Sequence, residues 1–340
     1  MVFISHLNAK PIEPLIQDWQ KQLRQAHDFD SLNQLVEITD HASPNLEKVD
    51  LEFRTRAPEA FVQRIHKTDP NDPLLRQILP SLQELDQHSG GLMDPVGDQT
   101  ATKVEGLLHK YEGRVLLITT GACAIHCRYC FRRHFPYADS HIGGKHLKAA
   151  IDYINADESI KEVILSGGDP LMLSNKALDN LIAQIEAIPH ITRLRIHTRM
   201  PVVLPDRIDI DLLQRLDQTT LHTVVVIHAN HANEIDNKVQ SALEKIDKTG
   251  TTLLNQSVLL KGVNDNINTL LELSERLFEC KTLPYYLHML DRVQGALHFE
   301  VEEAAALALM QQLQSKLPGY LVPKLVRELS GETSKTPIYI

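Results

Sequence analysis

Long apolar runs are missing from this chain. No stretch approaches the roughly 20 consecutive apolar residues that a membrane-spanning helix needs, and "MVFISHLNAKPIEP" has neither the basic opening nor the long apolar middle of a secretion signal. No membrane partner is therefore expected, and the cytoplasm is the expected location. Positive charge is short as well: 35 Lys and Arg stand against 44 Asp and Glu, for a formal net charge of -9. A nonspecific nucleic-acid surface needs clustered basic residues that release counterions, so a small-molecule partner is expected and no nucleic acid. Cysteine is scarce, with four in 340 residues, which excludes a disulfide framework. Repeats and low-complexity tracts are absent, and 43% hydrophobic with 23% charged residues are the proportions of an ordinary globular chain. The length allows one large core or a barrel with an accessory region.

What is present falls into two halves. From about residue 11 to residue 100 the spacing is helical: Leu15, Trp19, Leu23 and Ala26 share one helical face, and Ser31 is placed to cap a helix carrying Leu35. "DPNDPLLRQILP" and "GLMDPVGDQ" mark turns, so this part predicts a helical cap or clamp. Then "RVLLITTG", "EVILSGGDP", "RLRIHTR", "TVVVIHA", "TLLNQSVLL" and "PYYLHML" follow as short β-rich apolar runs, separated by segments long enough for a helix. Six such units predict an α/β fold with a parallel sheet covered by helices, and right-handed crossovers would curl it into an incomplete (β/α)6 barrel. A doubly wound open sheet is the alternative. The expected organisation is an N-terminal helical region over 1–105, the partial barrel over 106–300, and a C-terminal helix and tail over 301–340. A barrel places its chemistry at the C-terminal ends of its strands.

Three of the four cysteines, Cys123, Cys127 and Cys130, sit in "TTGACAIHCRYCFRRHFPY" as C-x3-C-x2-C, and Cys280 stands apart as a packing residue. A structural zinc site takes four closed ligands, so His126 or His134 would have to complete one here. Iron-sulfur clusters take a thiolate on each iron, and three cysteines on a four-iron cluster leave one iron open to a substrate or cofactor. "SGGDP", Ser166 to Pro170, reads on its own as a tight turn and an aspartate helix cap. Lys335 in the final "SGETSKTPIYI" reads on its own as a solvated charge in a loose end.

Taken together, the motifs say more. The three-cysteine spacing after the first strand resembles the radical S-adenosylmethionine (SAM) superfamily. From about residue 50 onward, "LLHKYEGRVLLIT", "CAIHCRYCFRR", "SGGDPL", "NHANE", "LNQSVLLKGVND", "YYLHMLD" and "SKTP" resemble the lysine 2,3-aminomutase family within it. "CRYCFRRHFPY" is similar to the EpmB branch, which makes (R)-β-lysine for elongation factor P. The resemblance implies a four-iron, four-sulfur (4Fe-4S) cluster on Cys123, Cys127 and Cys130, and SAM chelated to the open iron. It also implies pyridoxal 5'-phosphate (PLP) on a Schiff-base lysine, Lys335, held across the barrel mouth by a folded tail. By motif position it implies SAM contacts from Ser166, Gly167, Gly168, Asp169, His228 and Gln256, PLP contacts from Lys110 and Tyr111, and a substrate-carboxylate contact from Arg132. Asp291 and Glu328 take the places that bind the ε-ammonium of L-lysine. Plainer roles stand beside these: a surface ion pair for Arg132, core packing for Tyr111, a solvated charge for Lys110, a helix cap for Asp291.

Two departures from the family pattern are visible. "GETS" precedes Lys335 where the family carries a glycine run, leaving Gly331 to make the turn, and Glu328 replaces an aspartate. The family's long C-terminal assembly extension has no counterpart, so its tetramer is not expected here. The implied activity is an isomerase moving the α-amino group of L-lysine to the β-carbon. The β-lysine would be attached to elongation factor P by a separate lysyl ligase, with electrons from a reductase or flavodoxin-type donor. Charge-assisted hydrogen bonds contribute about 1.5–3 kcal/mol each, so two carboxylates could favour a substrate with a terminal cation by about 10^2 to 10^4. The same chemistry on another amino acid such as arginine or glutamate is a second reading. A metal-binding regulatory or scaffold protein with an idle Lys335 is a third, from a different class.

Overall fold

In the computed structural model, which describes residues 18–36, 44–86, 90–137 and 144–339, ten strands form one sheet in chain order. They are β1 (Thr102–Val104), β2 (Leu107–Tyr111), β3 (Arg114–Thr120), β4 (Glu162–Gly167), β5 (Arg193–Thr198), β6 (His222–Ile227), β7 (Thr252–Val258), β8 (Leu283–His288), β9 (Lys324–Arg327) and β10 (Thr336–Pro337). The six apolar runs are β3 to β8. They pair parallel because each is followed by a crossover, most of them helical, and β9 joins them in the same direction. β1 and β2 pair antiparallel ahead of β3, and β10 pairs antiparallel with β9. The sheet is thus wider than the sequence reading: it opens with a short hairpin whose first strand lies at the end of the stretch expected to be helical, and its last edge is the tail. Side chains from or just after every strand from β2 to β9 line one cavity. A flat sheet of this width could not bring them together, so the sheet is curled.

The crossover helices form where a side-chain cap meets an apolar stripe. Ser174, Asp209, Asp236 and Asn266 each accept the third backbone N–H of the helix they start, over Asn175–Glu186, Ile210–Gln218, Asn237–Asp247 and Ile267–Glu279. Leu178, Leu181, Ile182 and Ile185 show the stripe in the first, all buried against the sheet. Each such side chain contributes roughly 1.5–3 kcal/mol on burial. Cys280, wholly buried at the end of Ile267–Glu279, is part of this core, as its isolation implied. Among the described residues no helix is long and apolar enough to cross a membrane.

The N-terminal third carries short helices over Asp18–Arg24, Phe29–Leu35, Pro44–Glu52 and Glu59–Val62. Trp19 and Leu23 are buried as the helical face requires, and Ala26 lies past that helix's end, half-buried; Leu15 lies outside the described residues. Ser31 is not the cap expected. Asp28 caps Phe29–Leu35, and Ser31, three residues inside, returns the bond to the Asp28 N–H, because an aspartate was available one residue before the first apolar position. This third also grips the cysteine loop. Glu84 accepts from Arg128 Nε at 2.9 Å and from Arg133 at 2.9 Å, with the Glu84 and Arg128 side chains at most 1% exposed. Removing one partner of a buried ion pair costs about 3–5 kcal/mol because the other is left uncompensated. Glu84→Ala is therefore expected to lower the unfolding free energy by an amount of that order, read as a lower urea midpoint, and an unchanged midpoint would show that the pair does not hold the loop.

Candidate active site

The cavity inside the curl has a volume of about 580 Å³, the scale of a small-molecule site. All fifteen residues singled out in the sequence line it: the three cysteines, Ser166 to Asp169, His228, Gln256, Lys110, Tyr111, Arg132, Asp291, Glu328 and Lys335. They come from positions 110 to 335 of the chain, and only the fold brings them together.

The cysteines follow β3 on its C-terminal side. Burial pushes the Cys130 thiol up to about 11, and nearby Cys127 adds to it; burial and then Cys130 raise Cys123 in the same way. Buried thiolates that repel one another need a cationic centre, since a coordinated metal removes the thiol proton outright. The donor set therefore fits an iron-sulfur cluster. The same charge argument would serve a single zinc ion, but a closed zinc site also needs a fourth ligand. Among the described residues no three or more His, Cys, Asp or Glu side chains gather around one ion position. His126 Nδ1 sits 2.6 Å from the Arg54 carbonyl oxygen and His134 Nε2 3.2 Å from that of Gln294.

The end of β4 packs directly on this loop, which is why it is glycine. A Cβ on Gly168 would lie 2.3 Å from the Ala122 carbonyl oxygen, and Gly167 has φ +117° with the Thr120 oxygen 2.7 Å from its absent Cβ. The backbone N–H groups of Gly168 and Asp169 then donate to Thr120 and Ala122 at 2.7 and 2.9 Å. Asp169 is the helix cap that the bare sequence suggested, accepting from Leu171 N–H at 3.0 Å. It also accepts from Thr198 Oγ1 at 2.7 Å and Arg199 N–H at 2.8 Å, tying β4 to β5. Burial nevertheless pushes its carboxyl up to about 6; Oδ1 takes two of these bonds and Oδ2 one, so Oδ2 keeps a lone pair for a further donor. His228 and Gln256, after β6 and within β7, touch each other at 2.7 Å. Burial lowers His228 to about 3, so the neutral ring nitrogen accepts from the Gln256 amide.

At the other end of the cavity, the tail is held by strand pairing. Thr336 lies opposite Arg327 in the β9–β10 pair, which sets Lys335 opposite Glu328, and Ile338 N–H adds a bond to the Leu325 carbonyl. Gly331 alone makes the turn, with φ +87° and no atom near its missing Cβ, so the glycine run of the family pattern is not needed. The tail lysine is not loose. Lys335 Nζ meets Glu328 Oε2 at 2.6 Å, and Glu328 Oε1 meets Lys110 Nζ at 2.9 Å. Lys110 reaches Asp98 at 2.6 Å, and Asp98 holds Arg132 Nε at 2.6 Å. Five alternating charges thus run from the cysteine loop to the tail. Burial works against Glu328, but the ammoniums of Lys335 and Lys110 hold its carboxyl well below the usual range.

Lys110, expected against PLP, lines the cavity with its ammonium already engaged: it ion-pairs with Asp98 and Glu328 and donates to the Val96 carbonyl at 2.8 Å. Tyr111 lies beside it with the Arg114 guanidinium 4.7 Å over its ring; burial and then Glu328 push its phenol above the ordinary range. Arg132 also donates to Ser166 Oγ at 3.2 Å. Asp291 is pushed up to about 7, first by burial and then by Glu328. Among the described residues Asp291 Oδ1, His197 Nε2 and His288 Nε2 are buried without a hydrogen-bond partner. Unpaired polar atoms facing a cavity are a cost that a bound ligand removes, which fits a polar occupant such as PLP with an amino acid. Arg114 beside Tyr111, and Lys324 paired in register with Tyr286, supply cavity-lining cations for a phosphate.

A model described as the radical SAM superfamily matches residues 117–273. Over 330 residues the chain is 47% identical to the L-lysine 2,3-aminomutase of Escherichia coli strain K12, covering 96% of this chain and 95% of that protein. The chain belongs to the lysine 2,3-aminomutase family. It is also 50% identical to the L-lysine 2,3-aminomutase of Haemophilus influenzae, over 84% of each chain. To that of Clostridium subterminale it is 34% identical, over 94% of this chain and 77% of the other. Membership of this radical SAM family implies a 4Fe-4S cluster and SAM. Sequence reasoning missed Asp98 and Arg199 in this site. Asp98 lies in "GLMDPVGDQ", read only as a turn, and Arg199 closes "RLRIHTR", where its position at a strand's C-terminal end was the available signal.

Proposed function

We propose that this chain is an isomerase that converts L-lysine to β-lysine with a 4Fe-4S cluster, SAM and PLP. The observation that carries the proposal is one cavity lined at once by three cysteines, a strand-anchored lysine and two carboxylates. When bound, the cluster and SAM supply the one-electron cleavage that begins hydrogen abstraction, and PLP supplies the carbon-nitrogen linkage through which the amino group moves. Lys335 is the residue that carries PLP. Asp291 and Glu328 take the substrate's ε-ammonium, and Arg132, fixed through its Nε by Asp98, offers its remaining N–H groups to the α-carboxylate. Ser166, Gly167, Gly168, Asp169, His228 and Gln256 hold SAM, and Tyr111 packs against PLP, with Lys110 acting through Glu328. The curled sheet and the zipped tail orient the reactants and exclude water. From the resemblance to the EpmB branch we infer the R isomer, a flavodoxin-type or reductase electron donor, and delivery of the product to elongation factor P through its ligase.

The test is mass spectrometry of products after anaerobic incubation of the reconstituted protein with L-lysine, SAM, PLP and a strong reductant. β-Lysine that requires every cofactor is the expected result. 5'-Deoxyadenosine without β-lysine would overturn the substrate, and arginine and glutamate would then be compared. Asp291→Asn should raise KM for lysine by roughly 10 to 10^2, the worth of one charge-assisted hydrogen bond. An acid pushed up to about 7 is protonated below that pH, and only its carboxylate pairs with an ammonium. Lysine affinity of the wild type should therefore fall as pH drops below about 7, and in Asp291→Asn this pH dependence should be gone.

A further inference from the structure

The chemistry above uses neither Arg199 nor Glu234, yet both are among the most tightly held groups beside the cysteines. Arg199 NH1 lies 2.7 Å from Cys127 Sγ. Its NH2 donates to Glu234 Oε2 at 2.8 Å and to Gln77 Oε1 at 2.7 Å, and its backbone N–H is fixed by Asp169. The guanidinium carbon stands 5.4 Å from the Phe61 ring centre and 5.7 Å from that of Tyr129. Glu234 is wholly buried and accepts from the Asn230 and His231 N–H groups at 2.8 and 3.1 Å and from the Gln77 amide at 3.2 Å. The cation is thus locked in place with one N–H aimed at a cysteine sulfur, and a single carboxylate behind it.

We propose that Arg199 and Glu234 set the reduction potential of the cluster held by Cys123, Cys127 and Cys130, with Arg199 as a positioning residue that favours the reduced form and Glu234 as its opposing charge. The inference rests on the cluster assignment made above. Reduction moves one electron from an external one-electron donor onto the cluster; no bond breaks and no proton moves. The added negative charge is stabilised by a fixed cation and by an N–H donated to a ligating sulfur, two of the levers that set such potentials. Burial makes the effect large, since little water screens it. The carboxylate of Glu234, on the far side of the guanidinium, cancels part of that field.

The experiment is an anaerobic redox titration of full-length protein, with dithionite as donor and the paramagnetic signal of the reduced cluster as readout, alongside iron and sulfide analysis. Arg199→Met should lower the ratio of reduced to oxidised cluster at a fixed poise about tenfold, a shift of ~59 mV to more negative potential for a one-electron couple. Arg199→Lys should recover part of that shift, because it keeps the charge but not the fork. Glu234→Gln keeps an acceptor for its neighbours and should move the potential the other way. A loosened fold would reduce cluster content but would not give shifts of opposite sign. Equal potentials in variants with full cluster content would overturn the proposal, and should Arg199→Met fail to fold, the Lys and Gln variants decide it. A wild-type protein that takes up no iron and sulfide would overturn the cluster assignment itself, and this inference with it.

Discussion

Cys127→Ala is expected to give a folded protein with no intact cluster and no detectable 5'-deoxyadenosine, its lysine turnover at least roughly 10^4-fold below wild type. Cys127 is half-buried and packs against the core, so losing one sulfur costs about 1 kcal/mol, well within the stability of a domain this size. The loop that carries it stays pinned by Glu84 and by the glycines of β4. What is lost is chemical: two thiolates remain for three irons, and Arg199 loses its sulfur acceptor. Iron and sulfide per chain, circular dichroism and deoxyadenosine yield together separate this from unfolding. A cluster-free variant that still makes β-lysine would remove the cluster from the reaction.

How much of this was legible in the sequence depended on how local the signal was. The six parallel strands were readable because their short apolar runs, alternating with polar cavity-facing positions in β5 and β7, are local patterns that need no partner to interpret. β1, β2, β9 and β10 were not. They are two to five residues long and interrupt at most two adjacent apolar residues with Thr, Lys, His or Arg, too short a run to set a period, so their pairing is decided by the neighbouring strand. The same reason hid the cap at Asp28, where Ser31 was the nearer polar residue to the helix's apolar face.

The site divides along the same line. Cys123, Cys127 and Cys130 announce themselves by spacing, and Gly167 and Gly168 by their rarity at a strand end. Asp98 carries no such mark: its importance lies in the two cations it holds, Lys110 twelve residues on and Arg132 thirty-four residues on. Nor could spacing reveal that Lys110 has its N–H groups occupied, since one of its partners is a backbone carbonyl and another, Glu328, is 218 positions away. Charge pairs of this kind are properties of the curled sheet, and they explain how the tail is drawn into the cavity. Glu328 sits on β9, so the pairing of β10 with β9 places Lys335 against it without a glycine-rich lead.

Lys335→Ala is expected to leave iron and sulfide content unchanged, to abolish trapping of PLP on the protein by borohydride, and to reduce β-lysine formation by at least roughly 10^4-fold. The fold should survive it. Lys335 is 21% exposed, and its ion pair contributes no more than about 1 kcal/mol after solvent screening. Glu328 would still be paired with Lys110 at 2.9 Å. That remaining lysine makes the experiment decisive. Both ammoniums bind the same carboxylate, and a peptide map of the trapped wild-type protein distinguishes them directly. PLP on Lys335 fits the geometry, because this residue lies on a hairpin edge and, among the described residues, pairs with the single carboxylate of Glu328, whereas Lys110 is committed to two carboxylates and a carbonyl. PLP found on Lys110, or trapping that persists in Lys335→Ala, would transfer the cofactor to the middle of the charge chain and leave the tail lysine as a partner of Glu328 alone.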